Sequence, residues 1–419
     1  MKNKSRNWIS MLMFAITAAF FFYEFALQVS PGVMAHSLMK TFAINATTMG
    51  LVSGTYYFSY TGMQIPMGLL YGRFGARRMI TVASAICALG SILFGLAPTV
   101  SAIAAARFLM GLGSAFAFVG VLFIALRWFP IQYFAIFAGI TQTLGSIGAM
   151  TGQGPFAAAT NHIGWRETMI ILGIIGFGIS ICTWLFLRDR PKGFEEIEAQ
   201  ERIGIWKSLK SVLRHKQTWP VGLYSFAIWA PIAAFASLWG VPFLSHAYHI
   251  NNVLAGNAVA MVWLGTAIGS PLAGWFSNFI KRRCSVLAGL AIIGLLSILA
   301  AVYINHLPLI LLFAILFLMG VAAGGQSLAF AVIKDNHPTN TSSAAMGFNN
   351  MCVVFGGALF QPLIGKLLDM HYTGPQLASP EYSTSDFHFA LLLLPLCFLV
   401  SAIAAIFWMK ETYCKDKHA

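Results

Sequence analysis

Residues 8–30 read WISMLMFAITAAFFFYEFALQVS, a continuous apolar run in which Glu24 is the only charged side chain. A helix rises about 1.5 Å per residue, so a run of this length spans the hydrocarbon core of a bilayer, which is about 30 Å thick. The run is longer than the apolar region of a typical signal peptide, and no clear small-residue cleavage site follows it. The sequence therefore predicts a first transmembrane helix that is retained.

Eleven further runs of this character follow along the 419-residue chain. They are apolar throughout rather than alternating, which indicates helices and not the strands of a membrane barrel. Charged residues make up only 9% of the chain, against roughly 25% in soluble domains. The predicted fold class is an all-α membrane protein with twelve transmembrane helices, and a soluble enzyme is not expected. The predicted spans lie near 8–30, 45–71, 79–97, 99–126, 135–158, 167–187, 218–244, 253–280, 284–303, 308–333, 344–367 and 387–409.

The basic residues follow this topology. Of the 26 Lys and Arg residues, 22 lie on the side of the membrane that carries both predicted termini. Basic residues concentrate on the cytoplasmic side of membrane proteins, so both termini are predicted to be cytoplasmic. The net charge of +13 is thereby explained by topology, and no nucleic-acid partner is expected.

The two halves of the chain resemble each other. This repeat predicts a duplicated six-helix unit, in which two bundles rock about a site near the middle of the membrane. The predicted domains are an N-terminal six-helix bundle (1–187), a cytoplasmic linker with an amphipathic helix (188–217) and a C-terminal six-helix bundle (218–419). Four matching features recur at offsets between 206 and 209 residues: FLMG at 108–111 and 317–320, Pro130 and Pro338, Pro155 and Pro362, and Gly68 and Gly274.

Residues 68–78, GLLYGRFGARR, connect the second and third predicted spans. They resemble the signature G-x-L-x-D-R-x-G-R-R of the major facilitator superfamily, with Gly72 where the family usually has Asp. The second copy departs further, because Asn278 stands at the position of the acid. The resemblance implies a gating loop, in which glycines allow close helix approach and a tight turn and arginines bind neighbouring helix ends. The predicted gating residues are Gly68, Gly72, Arg73, Gly75, Arg77, Arg78, Gly274 and Asn278.

Other stretches carry the same resemblance. Residues 107–113, RFLMGLG, resemble the family's R-x-x-x-G-x-G motif, and 145–155 resembles part of its antiporter motif. Residues 23–31, YEFALQVSP, and 356–365, GGALFQPLIG, are similar to the proteobacterial phagosomal amino-acid transporters, the Pht group. The resemblance implies the two-bundle fold, a monomer in the inner membrane of a bacterium, no bound cofactor, and uptake of a small molecule such as an amino acid, driven by the proton gradient.

Glu24 and Arg107 are the two charged residues that lie clearly within predicted spans. Ionisable groups at this depth are costly, and they usually face protein or water and serve a function. In the family fold the first and fourth spans both line a central cavity. Glu24 is therefore the candidate for proton coupling or for a substrate amine, and Arg107 for a substrate carboxylate or a coupling partner. The structural alternative is an ion pair that locks the two spans together.

Further polar and aromatic side chains within the spans are candidates for the cavity. Polar stripes on membrane helices usually face the bundle interior, and interhelical hydrogen bonding is the simpler explanation for any one of them. The candidates are Tyr23 and Gln28 in the first span, Tyr56, Tyr60 and Gln64 in the second, Gln142 in the fifth, Tyr224 and Trp229 in the seventh, Gln326 in the tenth, and Asn349 and Asn350 in the eleventh.

The chemistry that other functions need is missing from the sequence. There is no phosphate-binding loop with Lys and Ser or Thr, no nucleophile elbow and no metal-ligand pattern, so neither an ATP-driven pump nor an enzyme is expected. Three functions remain open. The first is proton-coupled uptake of a small polar metabolite, the second is proton-driven efflux of an amphiphilic compound or siderophore, and the third is a membrane sensor that does not transport.

Overall fold

The computed structural model describes residues 2–130, 133–190, 205–304, 306–375 and 380–414, and this part of the chain is helical without a strand. We number the twelve long helices α1 to α12 in chain order, and call the short helix Ile205–Arg214 the linker helix. The acidic part of the predicted linker lies outside the described residues. The twelve are α1 (Lys2–Phe42), α2 and α3 (together Ala46–Leu96), α4 (Val100–Trp128), α5 (Phe134–Thr151 and Gly154–Ile163), α6 (Trp165–Phe186), α7 (Thr218–Ala247), α8 (Asn252–Ile280), α9 (Cys284–Tyr303), α10 (Leu309–Asp335), α11 (Thr339–His371) and α12 (Thr384–Trp408).

The long helical stretch Ala46–Leu96 contains one break. Gly75 has a φ of 78° and a ψ of 169°, which is outside the helical region and is accessible mainly to glycine. The break divides the stretch into α2 (46–74) and α3 (76–96), so that each crosses the molecule once. This arrangement confirms the all-α fold with twelve spanning helices in two bundles of six.

Ten helical segments of the described chain are long and apolar enough to cross a membrane. The two exceptions have local causes. α2 carries Thr, Ser, Tyr and Gln side chains along its length, which lowers its hydropathy. α5 is interrupted after Thr151, where Gln153 leaves the helical conformation before the helix resumes at Gly154. Both helices pack mainly against protein, because α2 contacts α11 and α5 contacts α8 across the two halves.

The duplication is visible in the packing of the two halves. A side-chain carbon at Gly111 in α4 would collide with the backbone carbonyl of Tyr56 in α2, and one at Gly320 in α10 would collide with that of Val262 in α8. Positions 111 and 320 differ by 209, and positions 56 and 262 differ by 206. The same pair of helices therefore meets at the same register in each half, as the repeated FLMG segment predicts.

The two halves are joined at one end of the molecule. We call the end that carries the start of α1 and the end of α12 the terminal face, and the other end the opposite face. At the opposite face the carboxylate of Asp369, in α11, accepts hydrogen bonds from the backbone N–H groups of Ala46 (3.2 Å) and Thr47 (2.9 Å), the first residues of α2. The hydroxyl groups of Thr47 and Tyr382 donate to the same carboxylate. Burial raises the pKa of Tyr382 above its usual value, so this hydroxyl remains a donor at neutral pH.

Close backbone contacts surround the hydrogen bonds to Asp369, a region that we call the joint between the halves. A side-chain carbon on Gly50 of α2 would lie 2.8 Å from Cα of Pro362, and Gly365 lies against the carbonyl of Ala46. Two more hydrogen bonds connect the halves in this part of the molecule: Asn252 donates to the carbonyl of Val33 (2.6 Å) and Gln153 to that of Ala236 (2.6 Å). A third, from Asn350 to the side chain of Gln64 (2.6 Å), lies farther from the opposite face. The structure is thus closed at the opposite face.

Candidate functional site

A cavity of about 50 Å³ lies between the two halves, roughly midway along the helices. We call it the central cavity. A volume of roughly 10–15 Å³ on this scale holds one water molecule, so in this conformation the space accepts a few waters or a small polar group, and it would have to widen to admit a larger solute. Six of its lining residues were candidates from the sequence: Gln28, Tyr60, Gln142, Trp229, Gln326 and Asn350.

Five lining residues were missed by the sequence reasoning, namely Phe21, Phe25, Phe118, Val353 and Val354. A periodic signal for four of them is present. Phe21 and Phe25 precede Gln28 at helical spacing, and the two valines follow Asn350 by three and four residues, so each set shares one face of a helix. Polar side chains within apolar spans stand out in the sequence, whereas the apolar part of the wall has the same composition as the lipid-facing surface.

Glu24 lies behind this wall, in the interior of the N-terminal half. Its side chain is fully buried. Oε2 accepts a hydrogen bond of 2.8 Å from the hydroxyl of Tyr56, and Oε1 has no hydrogen-bond partner among the described residues. The carboxyl group is therefore enclosed by α1 and α2 rather than exposed in the central cavity.

Arg107 is also fully buried, and it binds backbone carbonyl groups of α1. Nη1 donates to the carbonyl of Leu27 at 2.8 Å and Nη2 to that of Gln28 at 3.3 Å. In a regular helix the Leu27 carbonyl would accept from the N–H of residue 31, but residue 31 is a proline within α1 and has no N–H. The guanidinium group of α4 replaces this missing donor and ties α4 to α1.

Tyr56 connects the two charged residues. Its hydroxyl donates to Glu24, while its ring lies 4.6 Å from the guanidinium carbon of Arg107, within the range of a cation–π contact. The two charged groups do not form an ion pair among the described contacts. They belong instead to one buried cluster of α1, α2 and α4, which we call the charged cluster (Glu24, Tyr56 and Arg107).

The remaining candidates lie away from the wall and link helices. Gln64 accepts from Asn350 across the two halves, and Tyr23 is buried against α6, where its hydroxyl faces Gly176. In the C-terminal half, the hydroxyl of Tyr224 donates to the carbonyl of Leu287 at 3.0 Å. The amide oxygen of Asn349 accepts from Ser225 at 2.8 Å. In this conformation Gln64, Tyr224 and Asn349 connect helices by hydrogen bonds, whereas Tyr23 only packs, since its hydroxyl has no hydrogen-bond partner among the described residues.

The loop between α2 and α3 obtains its acid from another helix. Although Gly72 replaces the usual aspartate, the carboxylate of Asp189, just after α6, accepts from the backbone N–H of Arg77 at 2.8 Å. The same carboxylate fills the space beside Gly75, where a side chain would collide with it. The Arg77 guanidinium donates to the carbonyl of Trp184 at 2.6 and 2.9 Å. Asp189 therefore caps the first turn of α3, where negative charge is favourable.

The loop between α8 and α9 uses the same arrangement. Lys281 has a positive φ of 54° and stands 206 positions after Gly75. The carboxylate of Glu411, after α12, accepts from the backbone N–H groups of Arg283 (2.7 Å) and Cys284 (2.9 Å). The Arg283 side chain forms an ion pair of 2.6 Å with Asp335 at the end of α10. Each half thus caps its third helix with an acid that follows its sixth.

The other predicted gating residues are exposed or make no close contact with a neighbouring helix. Gly72, Arg73 and Asn278 are exposed, and the Arg73 guanidinium lies 5.2 Å from the centre of the neighbouring Phe74 ring. Arg78 is exposed as well. A side-chain carbon on Gly68 or Gly274 would meet no atom within 4 Å, so close helix approach does not require glycine at these two positions in this conformation.

Comparison with known proteins identifies the family. A model described as "Major Facilitator Superfamily" matches residues 12–240 and again residues 225–418. The chain belongs to the major facilitator superfamily. The two matches together span almost the whole chain and overlap at residues 225–240, within α7.

Individual proteins are similar to the chain over most of their length. The "Probable galactarate/D-glucarate transporter GudP" of Escherichia coli is 24% identical over 404 residues, which cover 88% of each protein. The "Membrane sensor protein UhpC" of Salmonella typhimurium is 23% identical over 390 residues, again 88% of each. Among solved structures, an inward-facing, unoccupied bacterial homologue of the human lysosomal transporter Spinster superimposes with a TM-score of 0.75 at 16% identity, over 99% of this chain and 98% of that one. The chain is therefore a multi-pass membrane protein of a transporter family and not an enzyme.

Proposed function

We propose that the chain is a secondary active transporter that takes up a small polar metabolite together with protons, by alternating access between its two bundles. The observation that carries the proposal is the position of Glu24. This carboxyl group is fully buried behind the lining of the central cavity, with one hydrogen bond from Tyr56 and, among the residues that the structure describes, no cation paired with it.

Proton binding at Glu24 follows from the energetics of burial. An ionised carboxylate without a cation is costly in a low-dielectric interior, and taking up a proton removes most of that cost. Tyr56 links Glu24 to Arg107, which in turn holds the carbonyls beside Pro31 of α1. A change of protonation at Glu24 would thus alter the packing of the helix that supplies Phe21, Phe25 and Gln28 to the cavity.

Alternating access is supported by the distribution of contacts between the halves. The hydrogen bonds around Asp369, Asn252 and Gln153 close the opposite face, and they would have to break for the cavity to open there. We propose that the terminal face is cytoplasmic, as the distribution of basic residues indicates, in the inner membrane of a bacterium. The acid that caps the third helix of each half, Asp189 or Glu411, would then hold the cytoplasmic ends of its bundle together while the two bundles move.

The test uses the purified full-length chain. A thermal-shift screen against amino acids, sugars, nucleosides, organic acids and siderophores identifies a ligand, and counterflow in proteoliposomes then shows whether it crosses the membrane. With an imposed proton gradient, we expect the unmodified chain to accumulate that solute. We expect Glu24→Gln to retain counterflow and to lose accumulation. Full accumulation by Glu24→Gln, with unchanged pH dependence, would show that Glu24 does not couple proton movement to transport.

Two alternatives rest on specific observations. The aromatic part of the cavity wall, with Phe21, Phe25, Phe118 and Trp229, favours efflux of an amphiphilic compound. The similarity to a protein named as a membrane sensor favours ligand sensing without transport. Efflux predicts that expression lowers the internal concentration of the solute, and sensing predicts saturable binding without counterflow. An amino-acid substrate and a monomeric state remain predictions from the sequence.

A further inference from the structure

The central cavity offers hydrogen bonds through amide groups. Gln28, Gln142, Gln326 and Asn350 line it from four helices. Gln142 makes no hydrogen bond within the described part of the chain, and the described contacts of Gln326 involve only its oxygen, which accepts from Ser327 at 3.3 Å. Gln28 donates through Nε2 to Tyr57 at 2.9 Å and Asn350 through Nδ2 to Gln64 at 2.6 Å, so these two amides offer their oxygens to a ligand. Amides supply both donors and acceptors without a formal charge.

The lining residues that the structure describes include no Lys, Arg, His, Asp or Glu. The two nearby charges, Glu24 and Arg107, are fully buried behind the wall. Arg107 has already given Nη1 and Nη2 to the carbonyls of Leu27 and Gln28, and its charge is further balanced by the ring of Tyr56. A solute in the cavity would therefore meet neither a free cation nor an exposed carboxylate.

This environment discriminates against net charge. An anion that leaves water for an uncharged cavity at the middle of a membrane loses its hydration and gains no opposite charge in return. A neutral solute loses less, and the four amides can replace its hydrogen bonds to water. The faces of Phe21, Phe25 and Trp229 add apolar surface, which suits a solute with a polar rim and an apolar face.

We propose that the central cavity selects small polar solutes of zero net charge over their anionic counterparts. The inference rests on the proposed transport function and specifies the substrate class of that same site. It also sets this chain apart from its relative named for galactarate and D-glucarate, which are sugar acids with two carboxylates.

The test compares matched pairs that differ by charge. The purified full-length chain is titrated in thermal-shift assays with D-glucose and D-glucarate, D-glucose and glucose 6-phosphate, and adenosine and adenosine monophosphate. We expect one neutral member at least to stabilise the chain, with an affinity at least tenfold higher than that of its anionic partner. Hits are then assayed for counterflow in proteoliposomes.

Two substitutions in α5 provide the matched variant and control. Gln142→Ala should weaken binding of the neutral solute at least tenfold, whereas Asn161→Ala, at an exposed position of the same helix, should leave it unchanged. Gln142→Arg introduces a cation into the wall, and it should raise the affinity for the anionic member of the pair at least tenfold. Asn161→Arg should not.

The proposal is overturned if an anionic member binds the unmodified chain as well as its neutral counterpart, if no neutral member binds, or if Gln142→Ala and Asn161→Ala behave alike. Counterflow of an anion would remove this inference and leave the transport function standing. A neutral ligand that binds tightly but is never exchanged would do the reverse, because it would support the selectivity and contradict transport.

Discussion

The two halves place different side chains at equivalent positions of the same helix contact. Arg107 in α4 corresponds to Leu316 in α10, by the offset of 209 that relates Gly111 to Gly320. Tyr56 in α2 corresponds to Val262 in α8, by the offset of 206 that relates Gly68 to Gly274. Arg107 and Leu316 are both fully buried, yet one half has a guanidinium group where the other has a leucine. The C-terminal half shows that this helix contact forms without charge, so the charges of the N-terminal half have another role.

The first helix of each half suggests what that role is. α1 contains Pro31, and the carbonyl that the proline leaves unpaired is bound by Arg107. α7 contains Pro231. A π-helical segment of the same helix, Ile232–Trp239, follows this proline directly, and there the backbone itself changes its hydrogen-bond spacing. In the N-terminal half the proline is thus accommodated by Arg107 of another helix, and this side chain can respond to Glu24. In the C-terminal half the proline is accommodated by the backbone of its own helix.

The largest effect is expected from making the C-terminal half resemble the N-terminal one. Leu316→Arg would bury a cation among apolar neighbours without the free carbonyl or the tyrosine that Arg107 has. An uncompensated buried charge costs about 3–5 kcal/mol, so we expect little or no folded protein. The yield of monodisperse protein in detergent measures this. Leu316→Met serves as the control and should be purified normally. Equal yields would contradict the explanation of the asymmetry.

The reverse change should have a smaller and repairable effect. Arg107→Leu leaves the carbonyl of Leu27 unpaired, which costs about 1–3 kcal/mol in thermal unfolding. Pro31→Ala restores the N–H group, and the double variant should regain most of the lost stability. Pro31→Ala alone should change stability little. If the two losses simply add, Arg107 does not replace the donor that Pro31 lacks.

The joint between the halves provides the third prediction. Asp369→Asn weakens the cap that the C-terminal half provides to α2, because the charge-assisted hydrogen bonds lose about 1–2 kcal/mol. The population that is open at the opposite face should therefore rise roughly tenfold. Hydrogen exchange at the amides of Ala46 and Thr47 should therefore accelerate. Glu381→Gln removes a neighbouring exposed acid and serves as the control. Unchanged exchange in Asp369→Asn would show that the joint does not depend on this carboxylate.

The smallest effect concerns a single hydroxyl group. Tyr56→Phe keeps the ring beside Arg107 and removes the hydrogen bond to Glu24, at a cost of about 0.5–1.5 kcal/mol. We expect proton-driven uptake to fall several-fold while counterflow persists. Tyr303→Phe removes a hydroxyl that donates to the carbonyl of His388 in the C-terminal half, and it should leave uptake unchanged. A similar loss of uptake in both variants would show that the Tyr56 hydroxyl has no specific role in proton coupling.

Much of the fold could be predicted because hydropathy and repeat spacing are local properties of the sequence. The twelve spans and the register of the repeat followed from them, and the position of Gly75 as a break followed from its loop signature. The acids that cap α3 and α9 could not be predicted, since Asp189 and Glu411 lie far along the chain from Arg77 and Arg283. Their contacts depend on how the third and sixth helices of each half are placed together.

The candidate site divides in the same way. The sequence by itself determined that Glu24 and Arg107 are scarce charges at membrane depth. Only the structure showed that α1 continues through Pro31 and that Arg107 supplies the donor that this proline lacks. It also decided that Tyr56 stands between the two charges, and that apolar side chains such as Phe21 and Phe118 complete the cavity wall. The physical reason is that each residue turns the face of a helix by about 100°, so the direction of a side chain is fixed only when its neighbouring helices are in place.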